Sequence, residues 1–172
     1  MSYEPYQRTV PAAPFQLTSA DFEASGPLPT ESYAPEHGKG LSPSLSWSGA
    51  PQGTQSFVLT AYDPDAPIPG GLWHWLVKDL PADIDSLQAG AGSEGGVLPG
   101  RAVNLTNDLG VPAYSGVQPP PGSGTHRLFL CLTALSVPVL EVPPNASAAL
   151  VNILMIQHTL GRALLVGTSD PA

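Results

Sequence analysis

The apolar runs of this sequence are short, and proline or glycine closes almost every one of them. Its 172 residues hold 21 prolines and 18 glycines, spread between those runs rather than massed in one tract. Proline has no backbone donor and breaks helices, so short runs bounded this way read as β-strands joined by turns. The clearest is Ser56–Asp63 (SFVLTAYD), β-branched and aromatic with apolar residues on both faces, as a central buried strand requires. The two prolines of Asp63-Pro64-Asp65-Ala66-Pro67 stop it. Residues 72–78 (LWHWLVK) and 128–135 (LFLCLTAL) read as further strong strands, and residues 163–168 (ALLVGT) as a final one. Residues 15–22 read as an early strand or extended segment, and residues 45–47 as a short apolar one.

The connections are legible too. Residues 83–100 read as a long glycine-rich loop. Residues 110–125 read as a rigid loop, because Pro119, Pro120 and Pro121 remove three successive donors and fix φ. One segment has helical spacing, with Leu150, Ile153, Leu154 and Gln157 on a 3.6-residue period. Asn145 is its predicted N-cap, Gly161 its predicted end. The expectation is a mostly β domain with one C-terminal helix. It spans 1–172, with a core over about 15–168 and the first fourteen residues extended or flexible.

Charge narrows the partners. Fourteen acidic against six basic side chains give a net charge of −8, which opposes nucleic acid and anionic membrane surfaces. A small anion is still admissible, since a pocket is governed by its local field. The single cysteine, Cys131, rules out an internal disulfide and a cysteine-rich zinc site, and it reads as a buried core thiol. No apolar run approaches the roughly 20 residues of a spanning helix. Residues 1–10 lack the apolar stretch of a secretory signal, so a cytoplasmic location is expected.

Three polar groups interrupt the apolar strands: Asp63, His74 and His126. Strict alternation puts Asp63 on the face of Phe57, Leu59 and Ala61, and His74 on the face of Leu72 and Leu76. A titratable group among apolar neighbours needs a partner. A carboxylate beside two imidazoles supplies one, and the imidazoles can then donate to a phosphate or carboxylate. The spacing alone fixes no geometry, and from spacing a satisfied strand histidine or a turn aspartate is the better explanation of each residue. Ser42, Ser44, Ser46 and Ser48 alternate near Trp47, yet no G-x-S-x-G surrounds them. His158 reads as a dipole partner late in the helix, His37 as an exposed loop residue, and Trp47 and Trp75 as core.

Asp63-Pro64-Asp65-Ala66-Pro67, Trp73-His74-Trp75 and the segment from Pro119 to Arg127 (PPPGSGTHR) resemble three signatures of the phosphatidylethanolamine-binding protein family, also called Raf kinase inhibitor-like. Leu41-Ser42-Pro43 with Leu45-Ser46-Trp47, and Asn107-Asp108 with Gly110, resemble two more. These motifs run in the family's order over nearly the whole chain, and the WHW form and short length resemble its bacterial branch. The resemblance implies a β-sandwich of two sheets with a Greek-key core and one C-terminal α-helix. It implies a pocket for phosphate-like or carboxylate anions with Asp63, His74 and His126 at its floor, walled by Pro67, Trp73 and Pro120. Asp65 and Arg127 match supporting positions, and a buried Asp65–Arg127 pair beneath the site is expected. The sequence departs from the family at Leu128, where a tyrosine is usual, at Leu109, where an aromatic is usual, and at Val117-Gln118, where Gly-Pro is common. No cofactor and no metal is implied.

The first functional expectation is therefore a binding module for a small anion such as a phospholipid headgroup, with a kinase or protease as a further protein partner and a homodimer compatible with the sequence. The second is hydrolysis of an ester or phosphoester by the same Asp/His/His groups, for which no nucleophile motif is visible.

Overall fold

In the computed structural model, which describes residues 3–172, the apolar runs pair into nine strands. They are β1 (Ala13–Pro14), β2 (Gln16–Thr18), β3 (Leu45–Ser48), β4 (Ser56–Asp63), β5 (Leu72–Pro81), β6 (Ser86–Leu87), β7 (Val103–Asn104), β8 (His126–Leu135) and β9 (Thr159–Ser169). One helix, α1 (Ala148–Met155), lies between β8 and β9 in sequence. The strands form a six-stranded sheet in the order β1-β9-β8-β4-β5-β7 and a three-stranded sheet in the order β2-β3-β6. The four long strands are antiparallel, while β1 joins β9 in parallel. After β5 the chain crosses to the far side of β4 to form β8, so β5 and β8 flank β4, the clearest strand of the sequence.

Every residue of β4 is buried because both of its faces are covered. On the inner face, Phe57, Leu59 and Ala61 join Trp75 and Val77 of β5, Leu128, Leu130 and Leu132 of β8, and Leu17, Leu45, Trp47 and Leu87 of the small sheet. On the outer face, Val58, Leu76 and Leu135 pack with Ala148, Val151 and Met155 of α1. Each such large aliphatic side chain contributes roughly 1.5–3 kcal/mol by leaving water. Trp47 and Trp75 are core as expected, and Cys131 is buried. The loop before β7 packs Gly92 flat on Trp75. A Cβ there would stand 1.9 Å from the indole, so only glycine fits.

Two expectations need correction. The helix starts at Ser147, not Asn145: Ser147 is extended and its side chain accepts from the Leu150 amide, whereas Asn145 has φ 59°, which an N-cap does not use. The helix also ends early, at Met155, followed by a 3-10 turn over Ile156–His158. Gly161 lies inside β9 opposite Ala134 and Ala13, and closes no helix. Among the described residues, the N-terminal segment makes contacts with the large sheet. The Tyr6 ring lies 6.0 Å from that of Phe129, and Arg162 donates to Thr9 Oγ1 and the Val10 carbonyl.

Candidate functional site

Asp63 is the last residue of β4, and its carboxylate folds back over the turn that the prolines force. Oδ1 accepts from the backbone amides of Asp65 (2.8 Å) and Ala66 (3.0 Å), and Oδ2 accepts from His126 Nδ1 at 2.7 Å. His126 opens β8 on the parity of Leu128 and Leu130, so alternation delivers both groups to the inner face. Both are buried. The other ring nitrogen, Nε2, lies 2.9 Å from the hydroxyl of Ser123, in the exposed turn just before the strand. That hydroxyl donates to the Pro120 carbonyl at 2.7 Å. With its one proton spent there, the Ser123 oxygen is left as an acceptor and His126 Nε2 meets it as an N–H donor.

His74 reaches the same face by a different route. The β4–β5 ladder pairs Ala61 with Trp75 and Tyr62 with Trp73, skipping His74, which is the extra residue of a β-bulge. The bulge resets the parity of the strand. His74 shares its side with Leu72, with which it lines a cavity, while Leu76 points to the outer face. The expectation that His74 shares a face with Leu76 is thereby corrected. Trp73 moves the opposite way: its ring stacks 4.4 Å from that of Tyr62 and packs on the outer cluster, so it does not wall the site.

The imidazole of His74 is fixed by Ser115, whose carbonyl accepts from Nδ1 at 2.8 Å and whose amide donates to the His74 carbonyl at 2.9 Å. Asn107 holds that arrangement together. Its Nδ2 donates toward the His74 carbonyl, the Ala113 carbonyl and Ser115 Oγ, and its Oδ1 accepts from the amides of Leu109 and Val111. The neighbouring Asp108 accepts from the Trp73 amide. The remaining ring nitrogen, His74 Nε2, is buried and has no hydrogen-bond partner among the described residues. Burial pushes the His74 pKa below its ordinary value and the charge of His126 adds to this, against the raising influence of the Ser115 carbonyl, Asp63 and Asp108. His74 is thus neutral near pH 7, with a proton on Nδ1 and a lone pair on Nε2.

His74 lines a cavity of about 700 Å³ whose walls include Leu41, Leu72, Leu109, Val111 and Tyr114, with Lys39 and Glu94 as its charged groups. Leu109 and Gln118, two of the departures noted in the sequence, line it as well. Asp63 and His126 do not, and neither do Pro67 or Pro120, which are exposed in their turns. Leu128 is buried in the inner core. Ser115 and the cavity wall at Lys39 carry no mark in the sequence that would assign them to a site. Ser123 and Asn107 lie within the Pro119–Arg127 and Asn107-Asp108 motifs, but without a role of their own.

Asp65 and Arg127 do pair, through Nε to Oδ2 and Nη2 to Oδ1, both at 2.8 Å, with the Arg127 amide adding a third bond. Arg127 holds the Asp65 carboxyl below its usual range. The pair is not buried, however: the two side chains keep 21% and 28% of their surface. Arg127 lies over the Phe129 ring and also grips Glu4 and the Tyr3 carbonyl, so it ties the N-terminal residues to the Asp63 turn.

The sequence model of the family described as phosphatidylethanolamine-binding protein matches residues 18–170. The UPF0098 protein YbcL of Escherichia coli strain K12 is 39% identical over 157 residues, covering 88% of this chain and 85% of that one. YbhB of the same organism is 41% identical over 126 residues, covering 73% and 79%. Among solved structures, that of E. coli YbcL superposes with a TM-score of 0.86 at 34% identity, over 92% of this chain and 99% of the other. A homologue from Chlamydia trachomatis gives 0.80 at 30%, over 94% and 100%.

Proposed function

The chain belongs to the phosphatidylethanolamine-binding protein family, and on that footing we propose that it binds a small oxyanion, the phosphate of a headgroup or of a phosphorylated partner, between His126 and His74. The observation that carries the reading is the state of the two imidazoles. His126 is oriented by Asp63 on one nitrogen and touched on the other only by an exposed serine hydroxyl. An oxyanion is a stronger acceptor for that N–H than a hydroxyl is, since a charged partner roughly doubles the strength of the bond. His74 offers a second, unoccupied ring nitrogen within electrostatic reach of Asp63 and His126. Pro119, Pro120 and Pro121 stiffen the approach to Ser123, whereas Gly122 and Gly124, both at φ 83°, give the turn around Ser123 the freedom to yield. In this reading Pro67 and Pro120 rim the site and Asp65 and Arg127 support its floor.

Calorimetric titration with inorganic phosphate and phosphoethanolamine at pH 6 tests the proposal. Binding by the parent protein, lost in a His126→Ala variant and weakened in a His74→Ala variant of native melting point, is expected. Phosphate bound equally by both variants would place the anion elsewhere.

A hydrolase reading has one specific observation in its favour. Ser123 Oγ, His126 and Asp63 stand in the order of a nucleophile, a base and its orienting carboxylate. It ranks second because the Ser123 proton is directed to the Pro120 carbonyl rather than to the imidazole. Turnover of an activated ester that disappears in Ser123→Ala would reverse the ranking. Among the described residues no helix is long and apolar enough to cross a membrane. The proposal keeps the cytoplasmic location expected from the sequence, although one relative, LppC of Mycobacterium tuberculosis, is named a putative lipoprotein.

A further inference from the structure

Resting on the anion-binding reading, we infer that the site selects its oxyanion by protonation state: it takes a phosphate or phosphomonoester that still carries a proton, in preference to a fully deprotonated anion of the same shape such as sulfate. The argument starts from the hydrogen-bond roles of the two rings. A neutral imidazole has one donor and one acceptor. The donor of His74 is committed to the Ser115 carbonyl at 2.8 Å, and a carbonyl can only accept, so the nitrogen left over is an acceptor. That nitrogen, Nε2, is buried and has no partner. A buried acceptor without a donor is costly, and the group that relieves it must bring a hydrogen.

Sulfate has none to bring near neutral pH. Its oxygens would face the Nε2 lone pair directly, unless His74 first took a proton from solvent. Burial opposes that step, and so does the charge of His126, while Asp63 and Asp108 favour it. Lys39 and Glu94, the charged groups of the cavity wall, are opposite in sign. A hydrogen phosphate or phosphomonoester monoanion meets both rings at once. Its P–O–H donates to His74 Nε2, and an anionic oxygen accepts from His126 Nε2, taking the place of the Ser123 hydroxyl. Because the second ionisation of a phosphomonoester lies near pH 6, the protonated species is well populated around that pH.

The site is therefore two-sided, with a donor on β8 and an acceptor on the β5 bulge, and the ligand class that fits is an oxyanion with one ionised and one protonated oxygen. His74 is the residue that determines the specificity.

The test compares inorganic phosphate with sulfate at pH 6 and constant ionic strength, by calorimetric titration of the full chain. Phosphate is expected to bind about tenfold or more tightly than sulfate, the factor that one hydrogen bond to a buried group corresponds to. A His74→Leu variant, which removes the acceptor, should lose that preference while retaining the melting point of a folded protein. The parent's comparison of the two anions stands without it if the variant does not fold. Equal affinities for phosphate and sulfate in the parent would overturn the selectivity and leave the anion site intact. Binding of neither anion would overturn both.

Discussion

Two sides of one sheet face hold the candidate site, and they are finished to different degrees. On the β4–β8 side, Asp63 and His126 bond to each other, Asp63 caps two amides of its own turn, and Ser123 covers the last ring nitrogen. On the β5 side, His74 has one nitrogen held by Ser115 and the other held by nothing. Both imidazoles are buried, so exposure does not separate them. Their routes into the structure do. His126 and Asp63 arrive by regular alternation along β8 and β4, just beyond Tyr62 and Phe129, the last residues paired between those strands, whereas His74 arrives by a bulge that turns one extra residue inward and leaves its second nitrogen to be satisfied from outside. The first side serves the fold as well as the site, and the second serves the site at some cost to the fold.

The sharpest way to break this comparison is to remove Asp63. Asp63→Ala strips the acceptor from His126 Nδ1 and from two backbone amides, and it should cost about 3–5 kcal/mol, since each donor left without a partner away from water costs roughly 1–3 kcal/mol. Urea denaturation reads this directly, and a loss below about 1 kcal/mol would mean that the β4–β8 side is not what holds the turn. Arg127→Ala should be milder, about 1–2 kcal/mol, between the values for exposed and buried pairs, because Arg127 and Asp65 keep 21% and 28% of their surface. It should also loosen residues 3–10, seen as faster amide exchange there. A loss as large as that of Asp63→Ala would show that the supporting pair and the site are one cooperative unit.

Acid exposes the β5 side. The folded-state pKa of His74 is depressed below 6.5, so below that pH the unfolded chain binds more protons than the native one. Stability should fall as pH drops from 7 through 6.5 toward 5, and His74→Gln should flatten that slope in melting curves taken at each pH. Asp65 adds a second loss at lower pH: its folded pKa lies below 3.8, so its contribution is present above 3.8 and disappears as pH falls through the folded value. An unaltered slope between pH 7 and 5 in His74→Gln would contradict the neutral, buried imidazole. The smallest change in stability belongs to Ser123→Ala, whose melting point should match the parent because the side chain sits in an exposed turn. Its phosphate affinity should nonetheless rise roughly threefold to tenfold, the worth of one hydrogen bond no longer displaced.

The same contrast explains what was legible in the sequence. The unbroken apolar character of Ser56–Asp63 announced a strand buried on both faces, and counting by twos put Asp63 on the inner face. The position of His126 at the head of β8 was readable for the same reason. Counting failed at His74, because a bulge inserts a residue without changing composition. It therefore sent Leu76 to the wrong face, while the placing of Trp73 as a wall came from the family resemblance and not from counting. Nor does any local pattern announce Ser115, and the Pro119–Arg127 motif gives Ser123 no role of its own. Each acts through a loop contact that exists only once distant turns have settled, one beside glycines at positive φ and the other across from Asn107. The helix was placed too early because Asn145 suits an N-cap by residue type, while its left-handed backbone serves a turn instead.

The Ser123 contact also has a consequence for ligand thresholds. A hydroxyl tethered three residues from the imidazole it touches behaves as a competitor at fixed effective concentration, of the order of millimolar for short flexible tethers. On the anion-binding reading proposed above, a free anion would have to outcompete it, in proportion to its own affinity for the ring. Chloride and other weak anions, which gain little from an N–H donor, would leave the serine in place. Only a ligand that also satisfied the second imidazole would have the surplus to displace it. An ordinary turn residue would then act as a noise filter, suppressing weak ligands without any barrier at the entrance to the site.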